Sequence, residues 1–295
     1  MREIVIVSGK GGVGKSSIVA SLGIIYAQEY KVVLADTDVD APNLHLVLGA
    51  KLKNSENIAA SSKAFIDYDK CIGCMTCKDI CKFSSIIGVD KPIIIPYSCE
   101  GCGACTLTCP EDAIEIKEVV NGQLNIFDAG NMLLVAGELH IGESSSGRLV
   151  DIVKKRARQE AKNSQAEMIL TDGPPGIGCP VIASVKGADY VALVTEPTPA
   201  ALHDLKRVVE VVTHFRIPLG IVLNRSDIHP ESNAAVKKFA HDNGFSILAE
   251  IPYDKNMTMA VAHGRPVISA YPETPASLAL KNLAAALAAR INELS

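Results

Sequence analysis

Two stretches of this 295-residue chain carry residue types at spacings that do chemistry. The first is Gly9-Lys10-Gly11-Gly12-Val13-Gly14-Lys15-Ser16, a glycine-rich loop ending in a Lys-Ser pair. Its glycines let backbone N–H groups close around phosphate oxygens at a helix start, where the helix carries partial positive charge. Lys15 then reaches the β- and γ-phosphates and the Ser16 hydroxyl ligates Mg2+, with Gly11, Gly12, Val13, Gly14 and Ser17 completing the cradle. The second stretch holds eight of the nine cysteines. Cys71, Cys74, Cys77 and Cys81 recur 28 residues later as Cys99, Cys102, Cys105 and Cys109, and Ile86 recurs as Ile114. Cysteines grouped this tightly read as metal ligands in a reducing cytoplasm, because a disulfide framework would spread them through a small secreted domain.

Lys10 is additional to the general phosphate loop. With it the sequence resembles the deviant-Walker ATPases: the MinD/ParA group, the Mrp-type iron–sulfur carriers and the nitrogenase iron protein. The resemblance covers the chain outside residues 67–117. It implies ATP and ADP as ligands and a homodimer that closes on ATP, with Lys10 reaching the partner's nucleotide. Asp36-Thr37-Asp38-Val39-Asp40-Ala41-Pro42-Asn43 looks like the family's switch I. By position Asp38 matches the carboxylate that orients the attacking water, with Asp40 as the alternative; hydrolysis mainly requires that water to be positioned against the γ-phosphate. Asp172-Gly173-Pro174-Pro175-Gly176 looks like Walker B and switch II. Asp172 would hold Mg2+ through water, and the Gly176 N–H would sense the γ-phosphate. Asn224, at a strand end, matches the amide with which the family reads adenine.

The two cysteine runs, the second followed by Pro110, resemble the bacterial ferredoxin with two [4Fe–4S] clusters. In that pattern the first three cysteines of each run share one cluster and the fourth ligates the other. The resemblance implies one cluster on Cys71, Cys74, Cys77 and Cys109, and a second on Cys99, Cys102, Cys105 and Cys81. Gly73, Gly101 and Gly103 would keep the backbone close enough to donate to sulfide. The first run departs from the pattern with Lys82 in place of proline. Structural zinc is the competing reading of the same thiolates. The ninth cysteine, Cys179, lies where the nitrogenase iron protein has a cluster ligand. A bridging cluster needs two such cysteines per chain, however, and the corresponding earlier stretch reads Ser144-Ser145-Ser146-Gly147-Arg148. Cys179 is therefore expected to be a small buried hydrophobe.

These groups need a scaffold, and the rest of the sequence describes one. Apolar β-branched runs at Ile4–Val7, Val32–Ala35, Met132–Ala136, Met168–Thr171, Tyr190–Thr195, Leu219–Asn224 and Ile247–Ile251 predict strands buried on both faces. Helical patterns lie at Ser16–Glu29, Gly147–Lys162, Pro199–Phe215, Glu231–Asn243 and Pro275–Glu293. The alternation predicts an α/β fold over residues 1–66 and 118–295, a doubly wound, mostly parallel sheet of the P-loop NTPase kind. Residues 67–117 break the rhythm and predict a small inserted α+β ferredoxin-like domain. Asn54–Lys63 is the nearest thing to a linker.

Composition narrows the function classes. Hydrophobic residues at 48% and charged residues at 21% exclude a disordered chain. No apolar run approaches the roughly 18 residues of a membrane span, and the apolar start reaches Gly9 before a signal-peptide core could form. A net charge of −4 without a basic tract gives nucleic acid no electrostatic footing. The last helix, Pro275–Ser295, lacks the basic amphipathic face of a membrane anchor and is expected to pack on the sheet. The histidines show no metal-binding spacing. Residues 67–117 hold eight acidic side chains against five lysines, so a redox or iron–sulfur acceptor partner should present a basic docking patch.

Together these readings imply a cytoplasmic ATPase of the MinD superfamily that couples ATP binding, hydrolysis and dimer closure to iron–sulfur electron transfer. The alternatives are an ATP-dependent cluster carrier or assembly factor, and a positioning ATPase with structural or sensory clusters. The lysine roles are testable at once. Lys15→Ala and Lys10→Ala should each lower ATP hydrolysis by roughly tenfold or more. Mixing the two inactive variants should restore part of the turnover, because a mixed dimer assembles one site with both lysines intact. Full turnover by Lys10→Ala alone would remove the deviant-Walker assignment.

Overall fold

Ile4 and Ile6 point into one hydrophobic core while Val5 and Val7 point into another. That is why β1 (Arg2–Ser8) is apolar at nearly every position and not at every second one. The computed structural model describes residues 1–143 and 147–293; Ser144–Ser146, part of the stretch compared above with a cluster-ligand region, and Leu294 and Ser295 lie outside the described residues.

From β1 the chain continues through α1 (Lys15–Tyr26), β2 (Val32–Asp36), α2 (Leu44–Leu48), β3 (Lys51–Ile58) and β4 (Ser61–Ile66). The cysteine-rich part holds α3 (Thr76–Ile80), β5 (Ile86–Ile87), β6 (Ile93–Ile94), a 3-10 turn at Pro96–Ser98, α4 (Ala104–Leu107) and β7 (Ile114–Val119). Next come β8 (Gly122–Asp128), β9 (Leu133–Leu139), α5 (Gly147–Ser164), β10 (Met168–Pro175) and α6 (Cys179–Val185). The chain ends with β11 (Tyr190–Thr195), α7 (Pro199–His214), β12 (Leu219–Asn224), α8 (Pro230–Asp242), β13 (Ser246–Ile251), α9 (Lys255–Ala262), α10 (Val267–Ala270) and α11 (Pro275–Glu293).

Nine strands form one sheet in the order β13-β12-β11-β1-β10-β2-β9-β8-β3. The seven from β13 to β9 are parallel, and β8 and β3 add an antiparallel edge. One face is covered by α1, α9, α10 and α11, with Ile18, Leu22, Leu280, Leu283 and Leu287 fully buried against Ile4, Ile6 and Leu34. The other is covered by α6, α7 and α8 over Val5, Val7 and Leu193, and by α5 over Val33, Ala35 and Val135. Each such side chain contributes roughly 1.5–3 kcal/mol on burial. The helix at Pro275–Glu293 packs on the sheet as expected.

Two expectations change. Asn54–Lys63, the apparent linker, is divided between β3 and β4. Every side chain of β3 from Lys51 to Asn57 is exposed. The backbone ladder to β8 holds it, with Arg156 paired to Glu56, so no hydrophobic alternation announces it. Cys179, expected to be buried, is exposed. It opens α6, and the face that helix turns inward carries Val181, Ala183, Ser184 and Val185 instead.

The cysteine-rich part hangs on an antiparallel ribbon in which β4 pairs with β7 from Ser61↔Val119 to Ile66↔Ile114. Its own core is very small: Ala64, Cys77, Ile86, Cys105 and Ile114. The 28-residue repeat is also a repeat of backbone conformation. Gly73 and Gly101, Met75 and Gly103, and Ser84 and Asp112 all take positive φ at equivalent positions. A Cβ at Gly73 would lie 2.4 Å from the Asp90 carbonyl oxygen, and one at Gly101 2.1 Å from that of Ser62.

Candidate functional site

The phosphate loop joins the end of β1 to the start of α1, at the carboxyl edge of the sheet where open α/β sheets bind ligands. Gly14 caps α1 in the left-handed region at φ 93°. A Cβ there would lie 2.5 Å from the Asn224 side-chain nitrogen, so only glycine fits beside that amide. Gly11, Gly12, Gly14, Lys15, Ser16, Ser17, Asp38 and Asn224 all border one cavity. Val13 does not: its side chain is buried in the core, and its carbonyl accepts from Asn224 Nδ2 at 2.8 Å. Arg225, Tyr253, Asp254 and Thr258 line the cavity beyond Asn224. Sequence reading missed these four, which sit after the ends of β12 and β13 in segments without a motif.

Two carboxylates lie side by side on β2 and β10, because the register pairs Asp36, the last residue of β2, with Asp172. Asp36 is fully buried and holds switch I closed on itself. Its oxygens accept from the backbone N–H groups of Asp38 (3.1 Å), Asn43 (3.1 Å) and Leu44 (3.0 Å). Burial, and then the charge of Asp172, push its carboxyl well above the ordinary range. Asp172 is 1% exposed and neither of its oxygens has a well-formed hydrogen bond among the described residues. Burial raises it to about 6 against the pull of Lys15 and Ser16. A buried, unpartnered carboxylate beside the Ser16 hydroxyl and the Lys15 ammonium is the arrangement a divalent cation would complete. Asp38 borders the cavity and is raised by burial, opposed by Lys15; Asp40 is exposed and does not border it.

Besides Asn224, whose amide is bonded to Val13 and Arg225, two further groups are engaged elsewhere in the chain. Lys10 Nζ lies 2.8 Å from Glu196 Oε1, and Arg225 occupies the other oxygen of the same carboxylate at 2.9 Å. Glu196, just after β11, was another residue the motifs did not reveal. The Gly176 N–H, expected to face a phosphate, donates to the Ser8 carbonyl at 2.8 Å.

The eight clustered cysteines divide into two quartets, each around its own small cavity. Cys71, Cys74, Cys77 and Cys109 line one; Cys81, Cys99, Cys102 and Cys105 line the other. Each fourth cysteine has therefore crossed to the other run's group. Equivalent amides point at equivalent sulfurs: Ser85 N–H donates to Cys81 Sγ at 3.4 Å and Ala113 N–H to Cys109 Sγ at 3.3 Å. The Thr76 hydroxyl and N–H lower the Cys74 thiol, whereas burial raises Cys77 and Cys105. Among the described residues no three His, Cys, Asp or Glu side chains form a group that could hold a metal ion. The quartets surround space instead of converging on a point.

The description "CobQ/CobB/MinD/ParA nucleotide binding domain" belongs to a family that matches residues 4–267. Two uncharacterised proteins of Methanocaldococcus jannaschii are similar to the chain over most of their length. MJ0578 is 38% identical over 261 residues, 88% of each chain, and MJ0579 is 32% identical over 267 residues, 90% of each. An iron–sulfur cluster carrier protein of Aquifex aeolicus is 25% identical, covering 96% of this chain and 66% of its own. Among solved structures, the septum site-determining protein MinD complexed with Mg-ADP from Pyrococcus horikoshii OT3 has a TM-score of 0.60 at 21% identity. It covers 100% of this chain and 98% of its own, a likeness of fold.

The raised Asp172 carboxyl predicts a pH-dependent stability. Its folded value near 6 exceeds the ordinary 3.8, so the folded state binds the proton more tightly and the ionised group costs stability above about pH 6. Asp172→Asn should therefore raise the unfolding temperature of the protein, measured without Mg2+ and nucleotide, by several degrees at pH 7–8, on the order of 2 kcal/mol. The gain should shrink through pH 6 and vanish below pH 4. A variant less stable than the parent at pH 8 would show that the carboxylate is already satisfied.

Proposed function

Because the chain belongs to the CobQ/CobB/MinD/ParA nucleotide binding domain family, we propose that it is an ATPase whose dimer closure on ATP is coupled to electron transfer through two [4Fe–4S] clusters. The observation that carries this reading is the presence in one chain of a phosphate-loop cavity and of two crossed cysteine quartets, each around its own space.

In this reading Lys15 and the amides of Gly11–Ser17 bind the nucleotide phosphates. Ser16 holds Mg2+, with Asp172 behind it as the unpartnered carboxylate. Asp38, at the cavity wall, orients water against the γ-phosphate, while Asp36 clamps the backbone that presents Asp38. Asn224, the residue the resemblance assigns to adenine, sits against the phosphate loop with its amide bonded to the Val13 carbonyl and the Arg225 N–H, so it would have to leave these contacts to read a base. Lys10 leaves Glu196 to reach the partner's nucleotide, and Gly176 leaves the Ser8 carbonyl as switch II closes. Both contacts are made within one chain, so closure must exchange them for phosphate contacts of comparable strength.

The clusters, when bound, supply one-electron chemistry. The chain's part is to hold them. Residues 67–117 are the inserted domain, with β4 and β7 as its base, and its five-residue core is too small to fix a fold without a staple. The amides of Ser85 and Ala113 would stabilise the thiolates of Cys81 and Cys109. Each quartet has one buried cysteine, Cys77 or Cys105, and one exposed, Cys74 or Cys102; it is the completeness of both ligand sets that favours a resident group over one handed on. The net −3 of the insert, brought to about −7 by two oxidised clusters with their thiolates, steers a partner with a basic patch, in the cytoplasm where such clusters persist. The likeness to an iron–sulfur cluster carrier protein of Aquifex aeolicus supports a second reading, in which clusters are cargo.

Protein purified without oxygen should carry about eight iron and eight sulfide per chain and, when reduced, give the electron paramagnetic signal of two interacting clusters. Cys109→Ser should damage the cluster of Cys71, Cys74 and Cys77, although it lies in the other run. Zinc in place of iron, or damage confined to the cluster of Cys99, Cys102 and Cys105, would overturn the crossed assignment. Quantitative loss of iron to an apo-protein under ATP would favour the carrier.

A further inference from the structure

The β4 strand at the base of the insert is joined to the segment after β9 by a buried ion pair that neither site uses. Lys63, in the middle of β4, is 3% exposed and places its Nζ 3.1 Å from Glu143 Oε2. Glu143 lies just after β9, whose end is bonded to switch I: the Leu139 N–H donates to the Val39 carbonyl at 2.9 Å. Three residues therefore separate the switch contact from the carboxylate. His140 N–H is tied to the Asn121 carbonyl at 2.9 Å and Glu143 N–H to the His140 carbonyl at 3.1 Å, so the segment is bonded at both His140 and Glu143.

On the other side of the pair, both neighbours of Lys63 touch one quartet. The Ala64 N–H donates to Cys99 Sγ at 3.4 Å, and the Ser62 carbonyl lies directly against Gly101. Gly142, next to Glu143, packs on the Tyr97 ring two residues before Cys99. The other quartet has no such contact with β4: among the described residues its cavity is lined by residues between 71 and 114, of which only Ile114, the first of β7, belongs to the ribbon, whereas Ala64 of β4 and Ile116 of β7 line the second cavity.

We propose that the Lys63–Glu143 ion pair is the joint through which switch I adjusts the environment of the cluster held by Cys81, Cys99, Cys102 and Cys105, leaving the other cluster unaffected. The inference rests on the reading that the quartets hold clusters and that the cavity at the phosphate loop binds ATP. A buried lysine needs its counter-charge. A displacement of Val39 carried along residues 139–143 therefore draws β4 with it, and β4 carries the amide that donates to Cys99. N–H···S bonds and solvation set cluster potentials, so the reduction potential of that cluster follows the nucleotide. Lys63 and Glu143 are positioning residues.

The test is a redox titration of the anaerobically purified, full-length protein, followed by paramagnetic resonance, with ADP and with a non-hydrolysable ATP analogue. Cys109→Ser assigns the two signals. In the parent, exchanging the nucleotides should change the reduction equilibrium of the second cluster tenfold, about 60 mV for one electron. Glu143→Gln and Lys63→Met should shrink that change at least threefold, with iron content, ATP turnover and the midpoint of the first cluster as in the parent. A full nucleotide-dependent change in both variants, equal changes at both clusters, or iron lost from both clusters in both variants would overturn the joint while leaving the ATP and cluster reading in place. A parent protein without iron, or with midpoints indifferent to nucleotide, overturns that reading and the joint with it.

Discussion

Two carboxylates buried side by side cannot both ionise cheaply, and the register of β2 on β10 places Asp36 next to Asp172. Much of the molecule is arranged around that conflict. Asp36 is relieved by three backbone amides of switch I, which fixes the loop holding Asp38. Asp172 has the Lys15 charge and the Ser16 hydroxyl to set against its burial, and these do not bring its carboxyl down to the ordinary range, so added positive charge would relieve it further. A site built this way spends fold stability on affinity for a cation. It also ties the loop that would position water to the group that would sense the metal, since Thr37 donates from both N–H and hydroxyl to the Asp172 carbonyl.

The insert answers a different shortage. A segment of some fifty residues with five buried core positions, two of them cysteines, has too little apolar surface to offset the entropy of ordering its chain. Its regularity comes from backbone conformation repeated at a 28-residue interval and from amides aimed at sulfur. Joined to the core by β4, β7 and the segment after β9, it sits where a shift of switch I can reach it without crossing the sheet.

What the sequence made legible follows physical lines. Strands buried on both faces were visible as unbroken apolar runs, and Gly14, Lys15 and Ser16 were visible because phosphate binding demands those types in that order. The crossed quartets followed from spacing read through a resemblance. The edge strand β3 was not visible, because its side chains from Lys51 to Asn57 are exposed and its place in the sheet is set by the backbone ladder to β8. Cys179 was misplaced because one residue at a helix start says little about which face that helix buries. Glu196 could not be found at all: it is 186 residues from Lys10, and only the adjacency of β11 to β1 brings them together. The engaged Gly176 N–H has the same origin, a register between β1 and the segment after β10 that no local pattern encodes.

The central claim is that nucleotide and cluster states are linked, and linkage is reciprocal. If closure on ATP changes a cluster's potential, reduction must change nucleotide affinity by the same free energy, about 1.4 kcal/mol for a tenfold effect. The direct measurement is the dissociation constant of a non-hydrolysable ATP analogue for the fully oxidised and the fully reduced protein, under argon and at one salt concentration. The account predicts values that differ several-fold or more, with the ADP values differing less. Equal affinities in both oxidation states, on a protein shown to hold its full iron, would contradict it.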